Sequence, residues 1–372
     1  MSTSTGFSKR NGDVTDADYM ARALFHAARG RGRTSPNPTV GAVIVSADGV
    51  VIGHGCTERA GQRHGEIVAL DMAGLRARGG TMYCTLEPCC HMGRTGPCVE
   101  RIAAAGVSRV VAAVEDPNPL VHGRGFAFLE SRGIKVDIGT GRAAAVLLNQ
   151  PFFTLMNEGR PFVTLKAAVS ADGYIAEAPG RRTPLTSDAA NRHAQRIRAE
   201  IDAIGVGVGT ILVDDPLLTA RGAFRELPLI RVIFDRHLRT PPLARVLSTV
   251  EAGPVMILTV AEAAARKDIR EPLENRGATI ITTDGTIRSG LRALGERSVT
   301  SLLLEGGAHV HEAAWTENVV DYVRLYTAPR SLGREGVRFL NGRHFSSADL
   351  IERREESLGP DVMTEGYVHG PR

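Results

Sequence analysis

A histidine, a glutamate and two cysteines between positions 64 and 98 are the residues best suited to chemistry in this chain. They stand in three short groups, His64-Gly65-Glu66, Glu87-Pro88-Cys89 and Pro97-Cys98. One imidazole and two thiolates make a set of three zinc ligands and leave the fourth tetrahedral position to water, as a catalytic zinc requires. Glu66, two residues from His64, has no place among the ligands, and its carboxylate suits a proton carrier between water and a leaving amine. A structural zinc knuckle would need a fourth ligand, which Cys90 or His91 could offer, but such a site gives Glu66 no task.

The order H-x-E followed by two prolyl cysteines resembles the zinc-dependent deaminases. One departure is the spacing: eight residues, Cys90 to Pro97, separate Cys89 from Cys98 where that pattern has two. A loop of this length can carry substrate-facing groups of its own.

The elements that must position these residues follow from periodicity. Asp16 to Arg29 places Met20, Ala21, Leu24 and Ala28 on one stripe and predicts an amphipathic helix ending at Gly30. Val40 to Val45, the Asp48-Gly49 turn and Val50 to Gly53 predict a β-hairpin. His64 to Arg78 predicts a helix closed by Gly79-Gly80, with His64 and Glu66 in its first turn. Strands are expected at Thr81 to Thr85 and Val107 to Val114 around a short helix from Cys98 to Ala105. Helix starts near Cys89 and Cys98 would favour thiolates. A helix at Arg124 to Ser131, a strand at Ile134 to Ile138 and a helix at Arg142 to Met156 complete a three-layer α/β/α domain over 15–156. Two turns, Pro36-Asn37-Pro38 and Asp116-Pro117-Asn118-Pro119, each hold an Asn that could orient a pyrimidine edge or merely close a turn.

Composition sets the class. At 372 residues, 43% hydrophobic and 23% charged, the chain is an ordinary globular protein of two domains. All five cysteines fall within the first hundred residues, so metal binding in a reducing cytoplasm explains them better than a disulfide framework. No apolar run reaches the roughly 18 residues of a membrane span. Residues 1–14 are polar, lack the apolar core of a signal peptide and are expected to form a disordered tail. The net charge of +4 suits anionic small molecules, and only 5% aromatic residues argue against a platform for RNA. A zinc-stabilised interaction module leaves Glu66 unexplained. A homo-oligomer without a nucleic-acid or membrane partner is expected.

Beyond the candidate linker Asn157 to Pro161, residues 160–372 contain no cysteine and predict a second α/β sheet. Its strands are expected near Phe162 to Ala168, Ala203 to Val208, Leu229 to Phe234, Val255 to Val260, Thr279 to Thr282, Ser301 to Leu304 and Tyr322 to Thr327. Gly205-Val-Gly-Val-Gly209 is a poor dinucleotide fingerprint. The run Leu302 to Leu304, Glu305-Gly306-Gly307 and a helix from Ala308 to Trp315 is a better phosphate site, because helix-start amides bind anions.

Together these segments resemble the bifunctional deaminase–reductase family of riboflavin biosynthesis. The likeness rests on Pro36 to Val45, Thr85 to Cys89 with His91 and Gly93-Arg94-Thr95, Asp116 to Pro119, Leu165-Lys166 with Ser170 and Asp172-Gly173, Asp202 to Ile204, Thr210, Asp214 to Pro216, Leu218-Thr219, Arg221 and Glu305 to Gly307. It implies zinc on His64, Cys89 and Cys98, proton transfer by Glu66, and deamination of a pyrimidine carrying a ribosyl phosphate. It also implies a second domain like dihydrofolate reductase that reduces the ribosylamino product with NADPH. The cofactor would meet Ala168, Pro184, Thr210, Asp214, Arg236, Gly307, Ala308, His309 and Val310. Substrate contacts would fall on Asn37, His91, Arg94 and Asn118 in the first domain, and on Lys166, Asp172, Arg182, Arg198, Leu218, Arg221 and Glu305 in the second. Lys166 and Asp172 could meet the reacting end or form a strand-end salt bridge, and Arg198 and Arg221 could grip the 5′-phosphate. Thr57 stands where the family usually has a histidine, and Arg182 and Pro184 where it commonly has a serine and a tryptophan.

Overall fold

A computed structural model describes residues 14–333, 335–340 and 345–370. All but Val14 of the expected tail lies outside them. Contacts divide the chain into two compact units, residues 1–34 with 38–149 and residues 35–37 with 150–372.

The first unit begins with α1 (Asp16–Ala28), whose start is fixed by a capping box between Thr15 and Asp18. Its buried stripe is Tyr19, Met20, Ala23 and Ala27, rotated from the one expected. The cause is Gly41, where a Cβ would lie 1.9 Å from the Ala23 carbonyl oxygen, so the helix faces the sheet with its alanines. Then follow β1 (Gly41–Val45), β2 (Val51–Cys56), α2 (Gly65–Ala73), β3 (Thr81–Cys84), α3 (Cys98–Ala104), β4 (Arg109–Ala112), α4 (Arg124–Ser131), β5 (Lys135–Ile138) and α5 (Arg142–Leu148). The sheet runs β2-β1-β3-β4-β5, antiparallel through the hairpin and parallel from β3 onward. Helices α1 and α5 cover one face, and α2, α3 and α4 the other, which is the expected three-layer sandwich. Every residue of β1 is buried because both its faces are covered.

The single helix expected at Arg142 to Met156 is instead two, α5 and α6 (Gln150–Glu158). Between them Asn149 turns its amide to Thr39, accepting from its N–H at 2.8 Å and donating to its carbonyl at 3.0 Å. A side chain so engaged competes with helical continuation.

The second unit continues with β6 (Phe162–Ser170), β7 (Tyr174–Ala176), α7 (Asp188–Glu200), β8 (Ala203–Gly207), α8 (Val208–Asp214), β9 (Ile230–Phe234), β10 (Val255–Val260), α9 (Ala261–Ala265), α10 (Lys267–Glu274), β11 (Ala278–Thr283), α11 (Ile287–Gly295), β12 (Ser301–Gly306), α12 (Ala308–Thr316), β13 (Tyr322–Ala328), β14 (Val337–Arg338), β15 (Ile351–Leu358) and β16 (Asp361–Tyr367). Nine strands form one sheet in the order β11-β10-β9-β8-β12-β6-β13-β16-β15. The seven from β11 to β13 are parallel, and β16 and β15 join antiparallel at the edge. Adjacent residues such as Val232 and Ile233 enter different apolar clusters, so both faces of the sheet are packed. The terminal hairpin has no counterpart in the sequence reading, because β15 is exposed from Ile351 to Ser357 and shows no apolar alternation.

Candidate functional site

Three local structures converge in the first unit. His64 is the N-cap of α2, Cys98 is the first residue of α3, and Cys89 lies on the loop that leaves β3. Their donor atoms lie within 4.8 Å of one another. His64 Nδ1 is 3.5 Å from Cys89 Sγ and 3.3 Å from Cys98 Sγ. Tetrahedral ligands about 2.1–2.3 Å from a zinc ion sit about 3.6 Å apart, so the spacing and the donor chemistry both fit that ion. The Cys98 side chain, helped by its backbone N–H and by His64, holds the Cys89 thiol down at about 4 against the effect of burial. Cys89, burial and Glu66 push Cys98 up. A dication between the two sulfurs removes the repulsion that keeps the second one protonated.

Glu66, in the first turn of α2, is 2% exposed, and its Oε2 has no hydrogen-bond partner. Burial pushes its carboxyl up to about 7, the range in which a group both takes and returns a proton near neutral pH. An orphaned buried oxygen beside a metal triad is what a proton carrier needs.

Two residues that sequence reasoning did not single out shape this centre. Thr95 Oγ1 lies 3.3 Å from His64 Nε2 and so assigns the metal-facing role to Nδ1. Glu87 is buried and accepts from the backbone N–H groups of Asp116, Gly123, Gly125 and Phe126. It thereby ties the Cys89 loop to the Asp116 turn and the start of α4. Thr95 stood inside a motif without any spacing to mark its role, and Glu87 read as part of the Pro-Cys pattern.

Of the expected substrate contacts, His91 is half-buried on the Cys89–Cys98 loop with Nδ1 unpartnered, and Arg94 is exposed on the same loop. Asn118 is half-buried, and its Oδ1 accepts from the Leu120 N–H at 3.0 Å. Asn37 is half-buried ahead of β1. Thr57 is buried and exchanges hydrogen bonds with the backbone of Val40, which makes it a structural residue at the end of β2.

In the second unit, Arg198 on α7 meets Glu305 at the end of β12 through two bonds, Nε to Oε1 at 2.7 Å and Nη2 to Oε2 at 2.6 Å. Burial would raise the Glu305 carboxyl, but Arg198 prevails and holds it at about 2. Arg198 Nη1 donates to the Thr219 carbonyl, so most of its fork is engaged within the protein and not open to a phosphate. Lys166 projects from β6 near this pair; burial lowers its pKa and Glu305 opposes the shift. Asp172, by contrast, lies in the turn after β6 and accepts from Ser170 Oγ and from the N–H groups of Leu332 and Gly333. Those bonds brace a loop. Leu218 is 3% exposed within an apolar cluster, whereas Arg221, Arg182 and Pro184 are exposed on loops.

A cleft of about 530 Å³ opens at the carboxyl ends of β8, β9 and β12. Thr210, Arg236, Gly307, His309 and Val310 all line it, while Ala308 opens α12 and Asp214 closes α8. A Cβ at Gly306 would meet Thr210 Oγ1 at 2.7 Å, and Gly307 has φ +82°, so glycine is required where the chain turns into α12. Carboxyl ends of parallel strands next to glycine turns are where such sheets take nucleotides, so the cleft fits a dinucleotide. Ala168 lies on β6 opposite Tyr326.

A partly buried His-Cys-Cys set beside the buried carboxylate of Glu66 on a three-layer sandwich defines a zinc-dependent deaminase class, here followed by a glycine-lined α/β domain of the reductase class. Residues 13–114 match the family described as cytidine and deoxycytidylate deaminase zinc-binding region, and residues 161–364 match the RibD C-terminal domain. The riboflavin biosynthesis protein RibD of Aquifex aeolicus is 38% identical over 94% of this chain and 97% of its own. RibD of Escherichia coli is 38% identical over 94% and 98%. Among solved structures, Acinetobacter baumannii RibD is similar with a TM-score of 0.83 at 34% identity, covering 94% of this chain and 98% of that one. A diaminohydroxyphosphoribosylaminopyrimidine deaminase/5-amino-6-(5-phosphoribosylamino)uracil reductase from Thermotoga maritima gives 0.81 at 31% identity, covering 94% and 97%. The chain belongs to the RibD family of riboflavin biosynthesis proteins.

Proposed function

We propose that this chain catalyses two consecutive steps of riboflavin biosynthesis, with deamination carried by residues 15–156 and reduction by residues 160–372. The first substrate is 2,5-diamino-6-ribosylamino-4(3H)-pyrimidinone 5′-phosphate. The second is 5-amino-6-(5-phosphoribosylamino)uracil, which becomes the ribitylamino compound. The observation that carries the reading is Glu66 Oε2, buried without a partner beside His64, Cys89 and Cys98. The activities named for the Thermotoga maritima protein support both substrates.

His64, Cys89 and Cys98 hold the zinc, which when bound makes water nucleophilic near neutral pH. Glu66 takes a proton from that water at Oε2 and returns it to the exocyclic nitrogen, so that a C–O bond replaces the C–N bond and ammonia leaves. Asn37, His91, Arg94 and Asn118 orient the pyrimidine. In the second domain NADPH, bound along the cleft, supplies hydride. Ala168, Thr210, Asp214, Arg236 and residues 307–310 hold it there, with Arg182 and Pro184 at its lid. Lys166 would give the proton that the nitrogen takes up when the C1′ imine of the ring-opened substrate is reduced. Arg198 and Glu305 shape the substrate side with Leu218 and Asp172, and Arg221 meets the 5′-phosphate.

Among the described residues no helix is long and apolar enough to cross a membrane. A cytoplasmic homo-oligomer acting on small molecules, without nucleic acid, accords with the composition. Glu66→Gln tests the reading: zinc stays bound and ammonia release falls at least about a hundredfold, while reduction of the second substrate continues. Retention of the deaminase rate would refute it.

A further inference from the structure

Lys166 does not stand alone on β6. Its Nζ lies over the ring of Tyr326, 5.3 Å from the centroid. Tyr326, on the neighbouring strand β13, is 1% exposed, and its hydroxyl lies 2.8 Å from His193 Nδ1. His193 and Arg198 both stand on α7, so one helix anchors Tyr326 at one position and Glu305 at another. The strand pairing sets Tyr326 opposite Ala168, two residues beyond Lys166, and leaves little freedom in where the ring lies.

We infer that Tyr326 is a positioning residue of the reductase: its ring face holds the Lys166 ammonium at the reacting end, and His193 fixes the ring by its hydroxyl. This rests on the reading of the second domain as a reductase in which Lys166 supplies a proton. An aromatic face attracts a cation electrostatically, and more so where water is excluded.

The charged and titratable groups around Lys166 and the Tyr326 ring come from six elements. Among them Arg324 on β13, opposite Lys166 in the strand pairing and bonded to Glu365 on β16, is felt at Tyr326 together with Glu356 on β15. Glu305 on β12 favours the ammonium, while Arg198 on α7 disfavours it. His311 on α12 is buried, and burial keeps it neutral down to about 4. His193 on α7 is likewise pushed down by burial. Tyr326 on β13 is pushed up by burial and stays neutral. Burial itself, the largest influence on Lys166, favours the free amine. The ring face is thus the neutral group that helps Glu305 keep the proton in place near neutral pH.

The test uses the full zinc-loaded chain with NADPH and, with phenylalanine as the reference that already lacks the hydroxyl bonded to His193, varies the electrostatics of the ring. Phenylalanine and a series of progressively fluorinated phenylalanines at position 326 keep shape while draining the ring face. The Lys166 pKa, followed by NMR of nitrogen-labelled lysine, should fall by about 0.5 to 1.5 units across the series. The basic limb of the reductase pH profile should fall with it, with NADPH affinity unchanged. Tyr326→Leu should lower kcat about tenfold or more, and Tyr326→Phe should stay within a few-fold of wild type. A Lys166 pKa that is flat across the fluorinated series overturns the inference, even if Tyr326→Leu fails to fold. Equal losses in Tyr326→Phe and Tyr326→Leu also overturn it, by making the hydroxyl and not the ring the important part. The NMR titration needs no turnover, so an inactive wild type would sink the reductase reading without deciding the ring's role.

Discussion

Thr95 Oγ1 stands 3.3 Å from His64 Nε2, on the side of the imidazole away from Cys89 and Cys98. The hydroxyl fixes the ring's orientation, so the metal meets a preset Nδ1. Partners of this kind are worth about ten- to a hundredfold in metal affinity. Thr95→Ala should weaken zinc binding by that factor in competition against a chelator, and Thr95→Ser should restore most of it. Equal zinc affinity in all three would leave Thr95 as an ordinary loop residue.

Glu87 answers four backbone N–H groups, from Asp116, Gly123, Gly125 and Phe126. A Cβ at Gly125 would lie 2.2 Å from the Pro88 carbonyl oxygen, which shows how closely the start of α4 presses on this carboxylate. Glu87→Gln keeps the shape but turns an N–H₂ toward donors, at a cost of about 3 kcal/mol or more. The variant should show an earlier melting transition and reduced zinc content, with NADPH binding intact. A melting curve like that of wild type would show that the turn finds its bonds elsewhere.

How much of this was legible in the sequence depends on the kind of interaction. His64, Glu66, Cys89 and Cys98 stood out because ligand chemistry restricts both residue type and spacing. The parallel strands showed as apolar runs because both faces of each sheet are covered. Thr95, Tyr326 and His193 gave no such signal. Their roles arise from cross-loop or cross-strand contacts, and Tyr326 alternates like any strand residue. The edge strand β15 was equally silent, since its Glu and Arg side chains face solvent and its partner β16 fixes it through backbone bonds. The stripe of α1 was misplaced because alanines at Ala23 and Ala27 are selected by close approach to Gly41, which a hydropathy pattern does not weigh.

The Arg198–Glu305 pair makes a pH prediction. Glu305 titrates at about 2 in the folded chain against an ordinary value of 4.5. A lowered folded pKa means the ionised form stabilises the fold. That contribution is complete above about 4.5 and is lost as pH falls toward 2. The difference corresponds to about 3 kcal/mol for a pair this well buried. Arg198→Ala strands a buried carboxylate, should cost about 3–5 kcal/mol, and should abolish reduction. Denaturant titrations of the two proteins between pH 5 and about 2 should converge as Glu305 becomes protonated. Parallel curves would mean that the pair does not govern acid stability.

Arg182 and Pro184 are exposed on the loop ahead of α7, at positions where the family resemblance leads one to expect a serine and a tryptophan. Losing an aromatic from the nicotinamide side removes about 0.5–1.5 kcal/mol beyond buried area. Arg182 can offset it, since charge-assisted bonds to phosphate are of similar or greater size. Its charge is felt at Asp214 at the end of α8, where burial raises the carboxyl pKa and Arg182 lowers it. We expect a guanidinium whose charge reaches the end of α8 to meet a phosphate of NADPH bound in the glycine-lined cleft. Arg182→Ala should therefore weaken NADPH or substrate binding several-fold, leave kcat nearly unchanged and leave deamination untouched. Arg182→Lys should recover only part of the loss, because a lysine lacks the planar fork. Calorimetric titration of NADPH into each variant decides the matter: wild-type affinity for both ligands in Arg182→Ala would show that the loop arginine is only solvated and that the lid manages without an aromatic or a charge.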